Sequence, residues 1–263
     1  MDDKPIRIDT TPDTPISFGR KAVWFAVRSS DHKDVAATLK LSQVESANWH
    51  TGIQLAFNRN LPDRFQEYVF VAPALNGWVF ILSPHFFYTA DQINSESHLN
   101  TASGFDLIFS SLYSKYPDVQ VFGSHRGVSA IIWGRALDGE IQRLFFYADG
   151  MVFANYGETT KQEHTANILD IGGLSIDAAY DAINASTEEF YSMESELVNA
   201  GKSPEEIERQ LAQSFKILPG SDEDLHFRIA EQWSINPNNL SKMGFGKGVG
   251  LIGKLPEAMA GQY

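Results

Sequence analysis

The 263 residues contain no cysteine, carry a formal net charge of -12 and are 43% hydrophobic and 12% aromatic. That apolar content suffices for a large core without disulfides or metal, and the missing thiols exclude disulfide frameworks, zinc-thiolate sites, iron-sulfur clusters and cysteine nucleophiles. The acidic balance opposes nonspecific nucleic-acid binding, which needs cations to displace phosphate counterions.

Residues 1–20 are polar and proline-containing (Pro5, Pro12, Pro15), which predicts a flexible arm. The opening Met1-Asp2-Asp3-Lys4-Pro5 lacks a basic start followed by an apolar stretch. The longest apolar runs, such as 78–82, are too short to span a bilayer, so a cytoplasmic address without a membrane partner is expected. Residues 22–27 read as a buried strand. Ser30 or Asp31 then caps a short helix whose Val35, Ala36 and Leu39 share one face, in a segment of helical character running toward Trp49. Residues 52–57 and 68–71 read as strands, and a turn over 73–77 leads to the wholly apolar, central strand 78–82.

Ser103 and Asp106 resemble a capping box for a helix with Phe105, Ile108, Phe109, Leu112 and Tyr116 at helical spacing, ended by Pro117. The runs 119–123, 129–137, 140–148 and 151–156 are strand-like. Asp138-Gly139 and Asp149-Gly150 lie between the last three, which predicts an antiparallel meander. Helices follow. Ile176, Ala179, Tyr180 and Ile183 come first, then Phe190, Met193 and Leu197, which are expected to face the core, with Gly201 stopping the run. Ser203-Pro204-Glu205-Glu206 restarts a helix with Ile207, Leu211 and Phe215, and another runs from about Asp222 to Trp233. Residues 244–253 are glycine-rich and expected to be irregular. The sum is an α+β fold: an antiparallel sheet, with the meander 119–156 and N-terminal strands, flanked by helices and followed by a helical C-terminal part. Its expected divisions are an arm over 1–20, a sheet core over 21–157, an acidic helical region over 158–243 packed on that core, and a glycine-rich tail over 244–263.

The charge is concentrated. Residues 151–235 hold sixteen acids against five bases, and the rest of the chain is nearly balanced. Such asymmetry points to a solvent or partner face. The candidate partner-binding carboxylates are Glu188, Glu189, Glu194 and Glu196 on one helix and Glu205, Glu206 and Glu208 on the next.

Motifs of catalysis are weak by comparison. Gly248, Gly250 and Gly253 match a G-x-G-x-x-G string, but that motif aims backbone amides from the start of a following helix at phosphate. Here Pro256 interrupts the short remainder, and Leu255 stands where a phosphate loop needs a hydroxyl, so no nucleotide cofactor is expected. Ser30-x-x-Lys33 has serine-lysine spacing without a partner motif. Glu223-x-x-His226 has the spacing of half a di-iron site without its other half. No catalytic residue, metal ligand set or cofactor is therefore assigned. Phe145 and Tyr147 are candidate exposed anchors on the meander.

The stretch from Tyr68 to Ser83, the run from Val119 to Arg126, the Trp133 to Gly157 meander and the segment from Ile229 to Pro237 resemble a group of uncharacterised bacterial cytosolic proteins. In type, that group is similar to the immunity proteins of polymorphic or contact-dependent toxin systems. The resemblance implies a non-enzymatic antitoxin that binds a basic secreted toxin and occludes its active or binding site. The alternatives are a small-molecule enzyme with a site around His50, His125, Arg126 and Arg135, or a regulatory or structural interaction module.

Overall fold

The structure, a computed structural model, describes residues 7–57, 68–83, 86 and 104–260. Nine strands among them are β1 (Ala22–Arg28), β2 (Ser42–Asn48), β3 (Tyr68–Val71), β4 (Trp78–Leu82), β5 (Asp118–His125), β6 (Ala130–Leu137), β7 (Glu140–Ala148), β8 (Met151–Tyr156) and β9 (Val249–Lys254). They form one antiparallel sheet in the order β2-β9-β3-β4-β1-β5-β6-β7-β8. The α+β architecture and its helical C-terminal part are those expected from the sequence.

β1 lies in the middle and alternates its side chains between two cores. Trp24 and Ala26 enter one, with Phe80, Phe122, Trp133 and Phe145; Val23, Phe25 and Val27 enter the other, with Ile81, Val121 and Phe146. Because both faces are covered, the strand reads as a continuous apolar run rather than as an alternating one. Phe145 is fully buried against Trp133 and is no exposed anchor. Helices α1 (His32–Thr38), α3 (Gly104–Tyr113) and α8 (Glu257–Ala260) cover the second face. The first face carries α2 (Trp49–Phe57), α4 (Lys161–Thr165), the start of α5 (Ile176–Asn199) and α7 (Leu225–Trp233), and α6 (Pro204–Ser214) pairs with α5.

Local signals act where the sequence places them. Asp138-Gly139 and Asp149-Gly150 all have positive φ, as a two-residue hairpin turn between right-twisted strands requires. The Ser203 hydroxyl accepts from the Glu206 amide while the Glu206 carboxylate accepts from the Ser203 amide, closing a capping box before Pro204. Asp31, not Ser30, caps α1. The capping role of Ser103 lies outside the described residues.

Four expectations are corrected. Residues 52–57 are helical, because Asp13 reaches across the fold to accept from the amides of Trp49 (2.7 Å) and His50 (2.9 Å) and caps α2 from outside its own sequence neighbourhood. The helix from Asp31 stops at Thr38, and β2 follows as an edge strand whose first five residues are exposed and so lack apolar alternation. Residues 7–20 are pinned rather than loose: Phe18 packs on Trp24 and Phe80, and its amide donates to the Pro237 carbonyl. The glycine-rich tail supplies β9, inserted between β2 and β3. A Cβ on Gly250 would stand 2.5 Å from the Val71 carbonyl oxygen, so glycine is what permits the close approach.

Candidate functional site

α5 is 24 residues long, about 36 Å at 1.5 Å per residue, yet only Ala179 and Ile183 in its first half are buried. Past Ile183 none of its residues is buried, and the helix packs beside α6. Phe190, Met193 and Leu197 are therefore half-exposed and join neither core, contrary to expectation. The Phe190 ring meets Phe215 instead, at 5.4 Å between centroids, and Leu211 is the buried residue of α6.

Between the two helices lies a groove of about 740 Å³. Thr187, Phe190, Tyr191, Glu194 and Val198 form one wall and Pro204, Ile207, Glu208, Leu211 and Ala212 the other. Each set repeats at three and four residues, so each is one stripe of a 3.6-residue helix. The returning chain at Phe215 to Leu218 closes one end. It is held there by Ile217, whose amide donates to the Asn167 carbonyl (2.8 Å), and by Lys216, whose ammonium donates to Asn167 Oδ1 (2.7 Å). Tyr191 (62% exposed) and Val198 (58% exposed) stand open on the α5 wall, so the groove presents large apolar side chains to solvent.

The nominated carboxylates divide into four sets. Glu194 and Glu208 line the groove itself. Glu188 and Glu205 are exposed at its flanks, whereas Glu189 and Glu196 project from the far side of α5 by helical geometry. Glu206 is used locally, in its capping box and 3.9 Å from Lys202. The Glu205 carboxyl is held below its ordinary value, first by a hydrogen bond from its own backbone amide and then by the Ser203 hydroxyl. Sequence reasoning found the acids and missed the groove, which depends on how two separate helices face each other.

The residues of the enzyme alternative are not brought together. His50 opens α2, which packs on β2, β3 and β9, while His125 ends β5; β4 and β1 intervene in the sheet. Arg126 pairs with Glu223 at 3.2 Å, and Arg135 with Asp118 at 2.6 Å beneath the Trp233 ring. Glu223 is also 3.9 Å from Arg20. His226, its partner in the E-x-x-H spacing, is fully buried against Trp24 and Phe227, whereas the Glu223 carboxylate is turned to the two arginines. Burial pushes the His226 imidazole down to about 3, and neither ring nitrogen has a hydrogen-bond partner of ordinary geometry. Among the described residues no three histidine, aspartate or glutamate side chains gather as a metal site, and no helix is long and apolar enough to cross a membrane.

A buried polar cluster went unseen in the sequence. Arg143 and Glu163 are both fully buried, with Arg143 Nε donating to Glu163 Oε1 at 2.9 Å. Trp133 Nε1 donates to the same oxygen, and Arg143 Nη1 donates to Asn155 Oδ1 and to the Tyr156 carbonyl. Glu163 Oε2 accepts from the Thr160 amide, so the cluster ties α4 to β6, β7 and β8. Its groups face one another inside the core, which marks them as structural.

No family model, curated protein or solved structure matches the chain.

Proposed function

We propose that this chain is a non-enzymatic binding protein of the immunity type, which captures a basic bacterial toxin through the α5–α6 hairpin and occludes the toxin's active or binding site. The observation that carries the reading is an apolar groove, rimmed by Glu194 and Glu208, on two acid-rich helices whose facing side chains the cores leave unused. Desolvated apolar anchors set how long a complex lasts, and surrounding charge sets how fast it forms and with which partners. An acidic surface is suited to a basic partner on both counts. A cytosolic site of action belongs to the same proposal.

The test is co-expression with the product of the neighbouring gene in the native genome. The expected result is that the neighbour is toxic alone, is neutralised by this chain, and forms a complex whose association slows as salt rises. A harmless neighbour, or a toxic one that neither binds this chain nor loses its toxicity, would overturn the immunity reading.

A further inference from the structure

We infer that the groove between α5 and α6 takes one amphipathic helix of the partner, with apolar side chains at helical spacing and lysine or arginine along its flanks. This rests on the protein-binding reading above and adds the form of what is bound. Both walls are helices whose side chains repeat at three and four residues, and the channel between two such stripes accepts the ridge of a third helix. An extended segment is a poor fit, because a helix satisfies its own backbone and offers no strand edge for a ladder to join. α6 has eleven residues, so the walls run alongside about three turns of a guest helix. Such a guest presents anchors at positions i, i+3 or i+4, and i+7.

The charge selects the same occupant. Phe190, Leu211 and Phe215 supply apolar surface, Glu194 and Glu208 stand in the walls with Glu188 and Glu205 flanking them, and the one lining cation among these residues, Lys216, is engaged by Asn167 at the closed end. A helix entering there meets acids on either side of its apolar stripe, which favours cations at the flanks. A second copy of this chain is disfavoured, since two such grooves would bring like charges together in a molecule of net charge -12.

The probe is a fluorescent synthetic peptide of about four turns, with leucines at i, i+3, i+4 and i+7 and lysines on the remaining face. It is titrated into the full-length chain beside a peptide of identical composition whose leucines are off helical spacing. The expected result is binding about tenfold tighter for the helical peptide, and about a tenfold loss in Tyr191→Asp and Val198→Asp. Both replacements are at exposed side chains, and unchanged thermal melts confirm their folding. Glu45→Lys, on the edge strand β2 at the opposite side of the sheet from the hairpin, is expected to leave affinity within about twofold at physiological salt.

Equal binding of the two peptides would overturn the inference by reducing the interaction to bulk charge. So would unchanged affinity in Val198→Asp, or sedimentation showing a dimer of the free chain that Val198→Asp dissociates. A toxin complex that forms and tolerates Val198→Asp would remove the helix-in-groove mode while leaving the immunity reading intact. Peptide binding that needs Val198, found beside a harmless gene neighbour, would retain the groove and remove only the toxin.

Discussion

Arg143 and Glu163 meet at 2.9 Å with both side chains fully buried, joining the middle of β7 to the first turn of α4. Taking two charges out of water costs free energy that their attraction only partly returns, and Arg143 Nη2 has no hydrogen-bond partner. Removing one partner strands the other. Glu163→Gln or Arg143→Met is expected to cost about 3–5 kcal/mol by urea denaturation. The double replacement with apolar residues is expected to cost less than the two single changes combined, because no charge is left uncompensated.

The depressed pKa of His226 makes stability depend on pH. Its unfolded-state value is 6.5 and its folded value about 3, so between the two the unfolded chain binds the proton more readily. Stability from this group is full above 6.5 and falls as the pH drops toward 3. Between pH 6.5 and 5, before most carboxylates titrate, the loss is expected to be about 2 kcal/mol. Urea midpoints across that range should decline in the parent and flatten in His226→Phe; parallel profiles would contradict the assignment.

Gly52 lies inside α2, where alanine ordinarily gains about 1 kcal/mol. Here a Cβ would fall 2.3 Å from the Phe70 ring, and Phe70 is itself locked in the core beside Trp49. Overpacking of about 1–3 kcal/mol outweighs the helix gain. Gly52→Ala is therefore expected to lower the melting temperature, and a rise would show that α2 can lift from β3 at little cost.

The acidic residues of the hairpin should separate in their effects. Glu188, Glu189 and Glu196 are exposed, and their reversal to lysine together is expected to leave the urea midpoint nearly unchanged. The same triple change should slow association with a basic partner most at low salt. Ser203→Ala removes the α6 cap and is expected to cost about 1 kcal/mol. Equal association rates for the triple variant and the parent at low salt would remove steering by these carboxylates.

Features set by neighbours in the chain are legible from the residues alone. The Asp-Gly turns set the β6-β7-β8 meander, because positive φ at two successive positions is a local demand. Ser203-Pro204-Glu205-Glu206 starts α6, because cap and capped amides are three residues apart. The accumulation of acids over 151–235 is likewise a matter of composition. Contacts between residues distant in the chain impose the rest. Asp13 makes a helix of 49–57, and β9 becomes a strand by pairing with Ser42–Asn48 and Tyr68–Val71 from far along the chain. Arg143 and Glu163 look like surface residues until α4 folds over β7. The seven nominated glutamates look equivalent until α5 is set against α6. Only then do Glu194 and Glu208 face the groove while Glu206 serves its own helix, since which side of a helix is occupied depends on the element packed against it.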